Sequence, residues 1–245
     1  MIKTAILIPS HLRATRLPNK PLLEINNEPM IVHCWRRAKD SNCGDVYVAT
    51  PDKEIADVIS KAGGKYIFTK KEHQTGTDRI FEAVNNFFRE KPNYIINLQG
   101  DMPNISIDAI KMLKSFIEHN THEFATLASN LSSLEEYNNK NIVKVIADKA
   151  LSLGKYSNAV NFFRIGNEKD FKKSYHHIGM YAYTFNALKK FVSLKRSRNE
   201  MDRSLEQMRV LDNEIQMAVG LINTFPLGVD TVEDLEKIRK IMGDG

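Results

Sequence analysis

The sequence is poor in cysteine and has no long uninterrupted apolar stretch. Cys34 and Cys43 are its only two cysteines, which is too few for a zinc site or a disulfide framework. This cysteine usage favours a reducing compartment. The first apolar run, residues 4–9, is too short for the core of a signal peptide, and nothing approaches the roughly 18 apolar residues of a membrane span. We therefore expect a cytoplasmic protein with no membrane partner.

Glycine is missing where the common nucleotide-binding motifs need it. No glycine precedes Gly44, so the first predicted strand is not followed by G-x-G-x-x-G, and G-x-x-x-x-G-K-[ST] occurs nowhere. These absences argue against a dinucleotide oxidoreductase and a P-loop NTPase. The motifs H-E-x-x-H and G-x-S-x-G are absent too, which removes support for a zincin or an α/β-hydrolase. A nucleotidyltransferase acting on an ordinary sugar 1-phosphate usually has a Gly-rich loop after its first strand, so that alternative also loses support.

The sequence does have a modest excess of positive charge and enough apolar residues for a substantial core. Its formal net charge is +5, and 42% of its residues are hydrophobic. A chain of 245 residues fits one large α/β domain, or such a domain with a smaller appendage. The positive excess favours acidic ligands, namely nucleic acids, nucleotides or sugar acids. The clusters of Lys and Arg are short, scattered and not interleaved with aromatics, which makes nucleic-acid binding the weaker alternative.

Short β-rich runs alternate with helical patterns across the first half. The runs are continuously apolar, which is typical of strands covered on both faces in a parallel sheet. Alternation of strands and helices predicts a doubly wound α/β fold with a mostly parallel sheet. The predicted strands are 4–9, 45–50, 65–69 and 94–99, and the predicted helices are 29–41, 52–63, 77–90 and 106–120.

The second half predicts strands that follow one another without helices. We expect antiparallel additions or a β-rich appendage at approximately residues 150–213, within a single domain of residues 1–245. Residues 157–176 are polar and carry several cations, which predicts a mobile loop. The predicted strands are 124–131, 141–148, 150–156, 179–185 and 216–222, and the predicted helices are 199–213 and a last one from about 231.

A proline-stiffened loop with three cations follows the first strand. The segment LIPSHLRATRLPNKPL, residues 7–22, places Arg13, Arg16 and Lys20 beyond the carboxyl end of that strand. In an open α/β sheet the ligand crevice lies at this end. Arginine through its planar fork and lysine as a point charge could hold a polyphosphate there. A solvated loop with incidental charges is the alternative.

Two further segments place carboxylates where a metal could bind. In NLQGDMP an apolar strand ends just before Asp101, and Mg²⁺ typically takes one or two protein carboxylates with phosphates and water. A simple Gly-Asp turn is the alternative. In LGVDTVEDL, Thr231 and Asp234 form a capping box for the last helix, which leaves Asp230 as a possible second metal ligand.

A third segment, HQTGTDR, joins a tight turn to the start of a helix. Gly76 occupies the turn, and Arg79 follows in the first helical turn. Exposed N–H groups and hydroxyls at such a position could bind a base or a phosphate, although helix capping alone would also explain them.

Eight segments together resemble, in this order, the 3-deoxy-manno-octulosonate cytidylyltransferase family, the CMP-Kdo synthetases. The resemblance covers roughly residues 4–240. It implies a fold of the nucleotide-diphospho-sugar transferase type, and a reaction in which CTP and a 2-keto-3-deoxy sugar acid give a CMP-sugar and pyrophosphate. It also implies Mg²⁺ and a homodimer. The segments are LIPSHLRATRLPNKPL, VATPD, HQTGTDR, NLQGDMP, NIVKV, HHIGMYAY, LEQMRVL and GVDTVEDL.

The resemblance also implies roles for individual residues. Lys20, Asp101 and Asp230 would be catalytic, and the two aspartates would coordinate Mg²⁺. The CTP-binding set would be Arg13, Arg16, Lys20, Gln74, Thr75, Gly76, Arg79 and Gln99. The sugar-acid-binding set would be Lys155, His176, His177, Tyr181, Glu206 and Gln207.

The chain departs from the family pattern mainly on the sugar side. Lys155 and His176 stand where arginines are common, and Arg203 stands at a carboxylate position. Near the nucleotide, His11 replaces an arginine and Asn19 replaces a glycine, which asparagine can do because it also visits positive φ. These changes could redirect specificity to another acidic or amino sugar, such as 8-amino-Kdo or a nonulosonate. A catalytically silent homologue is the other alternative.

Overall fold

Two compact units make up the chain. The computed structural model describes residues 3–13, 15–119 and 122–243. One unit contains the chain up to Lys114 together with the segment from Phe225 onward, and the other contains Ser115–Thr224. The second unit therefore begins earlier than the predicted appendage of 150–213, because the strand after residue 122 pairs with later strands of the same unit.

The strands and helices are numbered in chain order. The strands are β1 Thr4–Pro9, β2 Glu24–Ile25, β3 Glu28–Pro29, β4 Asp45–Thr50, β5 Lys65–Phe68, β6 Tyr94–Asn97, β7 Phe124–Asn130, β8 Lys144–Ala147, β9 Tyr156–Phe163, β10 Ser174–Thr184 and β11 Met217–Ile222. The α-helices are α1 Met30–Asp40, α2 Lys53–Lys61, α3 Gly76–Phe87, α4 Ile107–His119, α5 Leu134–Asn138, α6 Phe185–Ser193, α7 Arg198–Arg203, α8 Met208–Asp212 and α9 Val232–Gly243. Short 3₁₀ helices cover Lys20–Leu22 and Glu168–Lys173. None of the helices that the structure describes is long and apolar enough to cross a membrane.

The first unit contains a parallel sheet with the strand order β5-β4-β1-β6. Ile6, Leu7 and Ile8 of β1 are fully buried, as expected for a continuously apolar strand that is covered on both faces. Helices α1 and α2 pack against β4, and α3 packs against β1. The predicted α/β fold with a parallel sheet is confirmed.

The order of these strands creates a switch point between β1 and β6. The chain proceeds from β1 to β4 and β5 on one side, and then crosses back to place β6 on the other side of β1. The Leu98 N–H donates to the Leu7 carbonyl oxygen at 3.1 Å, so the segments that leave the two strands start side by side. A crevice outside the carboxyl ends of the strands at such a point is the usual ligand site of this architecture.

The strands of the second unit form a closed ring. Their order is β10-β7-β11-β9-β8, and β8 also pairs with β10. All of these pairs are antiparallel except β7 with β11, which is parallel. The predicted antiparallel additions are therefore present, and they belong to one continuous set of strands.

Three predictions for this unit are wrong. Residues 157–176 do not form a loop, because β9, a 3₁₀ helix and the start of β10 occupy them. Residues 150–156 are not a strand, since only Leu153 makes a bridge, to Leu221, before β9 begins. The predicted helix 199–213 is broken by Ser204, whose φ of 53° ends α7.

Candidate active site

A polar pocket lies at the carboxyl ends of β1 and β6 in the first unit. Its volume is about 260 Å³. Several of its walls come from segments that the sequence singled out, namely the loop after β1, the start of α3 and the turn after β6. It is lined by Pro9, Ser10, His11, Lys20, Pro21, His73, Gln74, Thr75, Gly76, Arg79, Gln99, Gly100 and Asp101.

One ammonium group joins the two predicted metal ligands. Lys20 Nζ lies 2.8 Å from Asp101 Oδ2 and 3.0 Å from Asp230 Oδ1. Arg16 Nη2 lies 3.0 Å from the other oxygen, Asp230 Oδ2. The Lys20 side chain is only 16% exposed, so its cluster is partly shielded from solvent, whereas Arg16 is 60% exposed. The structure thus brings together the three residues with predicted catalytic roles.

Local backbone structure aims Lys20 at the carboxylates. Asn19 has a φ of 55° and caps the 3₁₀ helix Lys20–Leu22, in which Pro21 is buried. The left-handed conformation expected for Asn19 is therefore confirmed. Because proline fixes its own φ and the cap fixes the turn before it, the loop enters this helix in one defined direction.

The two aspartates are held by backbone contacts between their segments. The Val229 N–H donates to the Asp101 carbonyl oxygen at 3.0 Å. Asp234 accepts from the Asp230 and Thr231 N–H groups at 3.1 and 3.0 Å, which sets the turn before α9. A Cβ on Gly100 would lie 3.0 Å from Ile31 Cδ1 and 3.3 Å from the Pro9 carbonyl oxygen, so glycine lets this turn pass close to β1.

Mutual contact shifts the pKa values within this cluster. Burial alone would lower the pKa of Lys20, but the charges of Asp101 and Asp230 outweigh it and raise the pKa above its usual value. Burial alone would raise the pKa of Asp230, but Lys20 and then Arg16 hold that pKa below its usual value. Lys20 and Asp230 therefore each stabilise the charged form of the other.

The other side of the pocket offers neutral polar groups. Gln99 Nε2 donates to Asn97 Oδ1 at 2.8 Å, which orients the carboxamide of Gln99. At the start of α3, Thr75 and Asp78 form a reciprocal capping box. Gln74, Thr75 and Gly76, which were predicted to face a base and ribose, lie on the pocket wall.

Two arginines of the predicted CTP-binding set have contacts with the protein itself. Arg79 is buried and donates through its guanidinium to Thr69 Oγ1 and to the carbonyl oxygen of Lys70. It lines the pocket while holding the segment after β5. Arg13 is not part of the pocket lining, and its guanidinium lies 3.8 Å from the exposed carboxylate of Glu72.

His11 and His73 line the pocket, although the sequence did not place them in the CTP set. His11 Nδ1 accepts from the Arg13 N–H at 3.1 Å, so Nε2 carries the ring proton of the neutral form. Burial and the nearby Arg79 lower the pKa of His11, which favours the neutral ring. In this form the only ring proton is on Nε2, so the ring can donate only from Nε2. The sequence feature that could have identified His11 is its position just after β1, where an arginine is usual in the family pattern.

In the second unit, His177 is buried against Thr126. Its Nε2 lies 3.0 Å from Thr126 Oγ1, and this hydroxyl is also within 3.2 Å of the Ile178 carbonyl oxygen and 2.9 Å of the Met180 one. A hydroxyl has one proton and the carbonyls only accept, so the ring must donate from Nε2. Burial and the adjacent His176 lower the pKa of His177 to about 3, and the ring therefore stays neutral near pH 7.

Tyr181 and Gln207 are also buried in this unit. The Tyr181 and His177 ring centroids are 5.6 Å apart. Burial and the negative charge of Glu206 raise the pKa of Tyr181. Glu206 and Gln207 lie in the turn between α7 and α8, so all four predicted residues belong to the second unit, and His177 and Tyr181 are in contact.

Comparison with known proteins identifies the family. Residues 5–218 match the family model described as cytidylyltransferase. The chain is 41% identical to the 3-deoxy-manno-octulosonate cytidylyltransferase of Bartonella bacilliformis, over 98% of this chain and 99% of the relative. The chain belongs to this cytidylyltransferase family. The enzyme of the same name from Rhodopseudomonas palustris is 42% identical, over 98% of both chains.

Solved structures agree with this assignment. The structure of CMP:2-keto-3-deoxy-manno-octonic acid synthetase complexed with CTP has a TM-score of 0.89 and 32% identity, and it covers 99% of both chains. A UDP-glucose pyrophosphorylase has a TM-score of 0.72 at 14% identity, which shows the shared fold alone. The resemblance predicted from the sequence is confirmed, and the chain is a nucleotidyltransferase.

The residues of this cytidylyltransferase that depart from the family pattern have their own partners or lie in solvent. His176 Nδ1 lies 2.7 Å from Glu136 Oε1. Arg203 donates to Asn161 Oδ1 and to the carbonyl oxygen of Phe162, so it ties α7 to β9. Lys155 is exposed. His176 and Arg203 therefore have structural contacts that explain their presence, and Lys155 has no such explanation.

Proposed function

We propose that this cytidylyltransferase transfers CMP from CTP to the anomeric hydroxyl of Kdo and releases pyrophosphate. The observation that carries the proposal is the cluster of Lys20, Asp101 and Asp230 on a polar pocket at the switch point of the parallel sheet. The names of the relatives described above support CTP and Kdo as the substrates.

The residues of the pocket suit this chemistry in two ways. The sugar hydroxyl attacks the α-phosphorus in line, while negative charge develops on the departing pyrophosphate. Lys20 and Arg16 supply positive charge for the triphosphate, and Lys20 is oriented by its short helix. Gln99 and the turn before α3 supply hydrogen-bonding groups for the cytosine and ribose. Positioning and electrostatic stabilisation account for most of the rate in reactions of this type.

A magnesium ion fits the donor set of this cluster. Asp101 and Asp230 offer hard carboxylate oxygens, and both already contact one positive charge, the ammonium of Lys20. Within the described residues no group of three or more His, Cys, Asp or Glu side chains could hold a metal, so the remaining ligands would be triphosphate oxygens and water. When bound, the ion would supply positive charge beside the reacting phosphates.

The sugar acid would contact His177, Tyr181, Glu206 and Gln207 of the second unit. The neutral His177, the hydroxyl of Tyr181 and the polar ends of Glu206 and Gln207 can all bond sugar hydroxyls. Lys155 would supply a positive charge for the carboxylate of the sugar acid. We propose the cytoplasm as the location, because CTP is a cytoplasmic nucleotide and both cysteines are free and buried.

The direct test measures pyrophosphate release from CTP and Mg²⁺ with Kdo, 8-amino-Kdo, N-acetylneuraminate or no sugar. We expect the highest kcat/KM with Kdo and little release without a sugar. UTP in place of CTP is the matched control for the base. Faster turnover of another acid would leave CTP as the nucleotide substrate but rule out Kdo as the preferred acceptor. The altered specificity would then be attributed to Lys155, His176 and Arg203. Binding of CTP without turnover of any of these acids would contradict Kdo as the acceptor and favour either an acceptor outside this set or a silent homologue.

We also propose a homodimer formed through the second unit. Leu153, Val160, Ile165 and Met201 of this unit are each more than half exposed, and an interface between two copies of the chain would bury apolar side chains of this kind. We expect light scattering to give twice the monomer mass of 28.0 kDa, and Val160→Glu to weaken the dimer. Phe68→Glu is the control, because Phe68 is equally exposed but lies in the first unit. A monomeric wild-type protein would contradict this proposal.

A further inference from the structure

The contact between Lys20 and the two aspartates has a consequence for how a metal enters. Lys20 Nζ is within 3.0 Å of one oxygen from each aspartate, and these aspartates come from segments far apart in the chain. A Mg²⁺ ion bound to the same two oxygens would need them about 2.1 Å from its centre. The ammonium and the ion therefore require the same oxygen atoms.

We propose that Lys20 acts as a resident counter-cation that Mg²⁺ must displace from Asp101 and Asp230, and that the triphosphate then binds the released ammonium. This proposal rests on the proposed function, because it takes CTP and Mg²⁺ as the ligands of this site. It adds an exchange of partners by Lys20, so that the ion and the nucleotide assist each other's binding.

The charges of the cluster support this exchange. Lys20 and Arg16 together balance Asp101 and Asp230, so the site has little net negative charge to attract a metal ion alone. A triphosphate supplies new acceptors for Lys20 and further oxygen ligands for the ion. The free energy of coupling between two ligands is reciprocal, so CTP should raise metal affinity by the same factor as the metal raises CTP affinity.

The lysine side chain is suited to such an exchange. Its ammonium is a compact charge on a flexible stem of four carbons, and it can rotate to a new acceptor without movement of the backbone. The backbone of Lys20 is anchored by the N–H of Leu23, which donates to its carbonyl oxygen at 3.2 Å. Only the end of the side chain therefore needs to move.

The test measures Mn²⁺ binding to the whole protein by electron paramagnetic resonance, with and without CTP. Without nucleotide, we expect Lys20→Met to bind Mn²⁺ about tenfold more tightly than the wild type, because the competing cation is gone. With CTP, we expect the same variant to lose most of the mutual enhancement. Arg13→Ala is the matched control, since Arg13 is a cation of the same loop that contacts Glu72 and not the aspartates.

The outcomes separate this inference from the proposed function. Equal gains in Mn²⁺ affinity for Lys20→Met and Arg13→Ala would reflect only the loss of positive charge from the loop, and would overturn the proposed exchange. No gain for Lys20→Met would also overturn it. Absence of Mn²⁺ binding in every protein, even with CTP, would overturn the metal site itself.

A second measurement on the wild type covers the case in which Lys20→Met does not fold. Labelling of lysine amines, read by mass spectrometry, should become faster at Lys20 when Mg²⁺ is added at constant ionic strength. The exposed Lys53, which pairs with Asp57, should keep its rate. An unchanged rate at Lys20 under saturating Mg²⁺ would contradict the displacement.

Discussion

Replacing Asp101 by asparagine is expected to lower the rate of pyrophosphate release by about 10²–10³-fold, the loss of several kcal/mol of transition-state stabilisation. The carboxamide keeps the shape of the side chain but removes its negative charge. Lys20 then loses one of its two carboxylate partners, and the proposed Mg²⁺ site loses one of its two charged ligands. We expect the loss mainly in kcat, measured at saturating CTP and sugar acid.

The control for this variant is Asp57→Asn. Asp57 is an exposed carboxylate on α2 that pairs with Lys53, and its replacement should leave kcat within about twofold, as expected for a surface ion pair of little energetic value. Calorimetric titration with CTP separates a loss of binding from a loss of chemistry. An Asp101→Asn enzyme as active as the wild type would show that the two-carboxylate site is wrong.

Replacing Glu200 by glutamine is expected to destabilise the protein by about 3–5 kcal/mol, because one half of a buried ion pair remains without its charge partner. The carboxylate of Glu200 accepts from Arg209 Nε and Nη2 at 2.7 and 2.6 Å, and from Arg196 Nε at 2.9 Å. The Glu200 side chain has no exposed surface, and that of Arg209 is 3% exposed. This pair joins α7 to α8, between which Glu206 and Gln207 lie.

Thermal unfolding measures this effect. A loss of 3–5 kcal/mol corresponds to a fall in Tm of roughly 6–20 °C for a chain of this size. Asp202→Asn is the matched control, because Asp202 is on the same short helix but exposed and 3.5 Å from Arg198, so a change below about 1 kcal/mol is expected. A Glu200→Gln protein as stable as this control would mean that the buried charge is not needed.

The same pair predicts a dependence of stability on pH. Burial would raise the pKa of Glu200, but its hydrogen bonds with Arg209 and Arg196 outweigh this and hold the pKa below its usual value of 4.5. A depressed pKa in the folded state stabilises the protein above pH 4.5, and this contribution is lost as the pH falls through the folded pKa. Glutamine does not titrate, so we expect the stability of Glu200→Gln to fall less than that of the wild type as the pH is lowered through the folded-state pKa of Glu200.

The parallel half of the fold could be predicted because its signals are local. Strands β1 and β4 have their predicted limits, and β5 and β6 end one and two residues before their predicted ends. Each is a short apolar run between polar or Gly and Pro residues, and such runs form strands regardless of which segment lies beside them. The limits of α1 and α2 were predicted within two residues for similar reasons.

The second unit was harder to predict because its strands depend on partners. β9 contains both polar and apolar residues, and its sequence predicted a loop. It forms a strand because it pairs with β8 and β11. Nothing local shows that Ser204 adopts a φ of 53° within an otherwise helical pattern. Tertiary context overrides propensity at such positions.

By itself, the sequence determined the family, the α/β class and the carboxyl-edge position of Asp101, because these follow from residue order and local pattern. Only the tertiary structure decided which cation contacts which carboxylate. Lys20 reaches Asp101 and Asp230 across 81 and 210 residues of sequence, whereas Arg13 and Arg79, two other members of the predicted CTP-binding set, contact Glu72 and the segment after β5. Charged side chains are flexible and their interactions act through space, so their partners depend on how the backbone brings distant segments together.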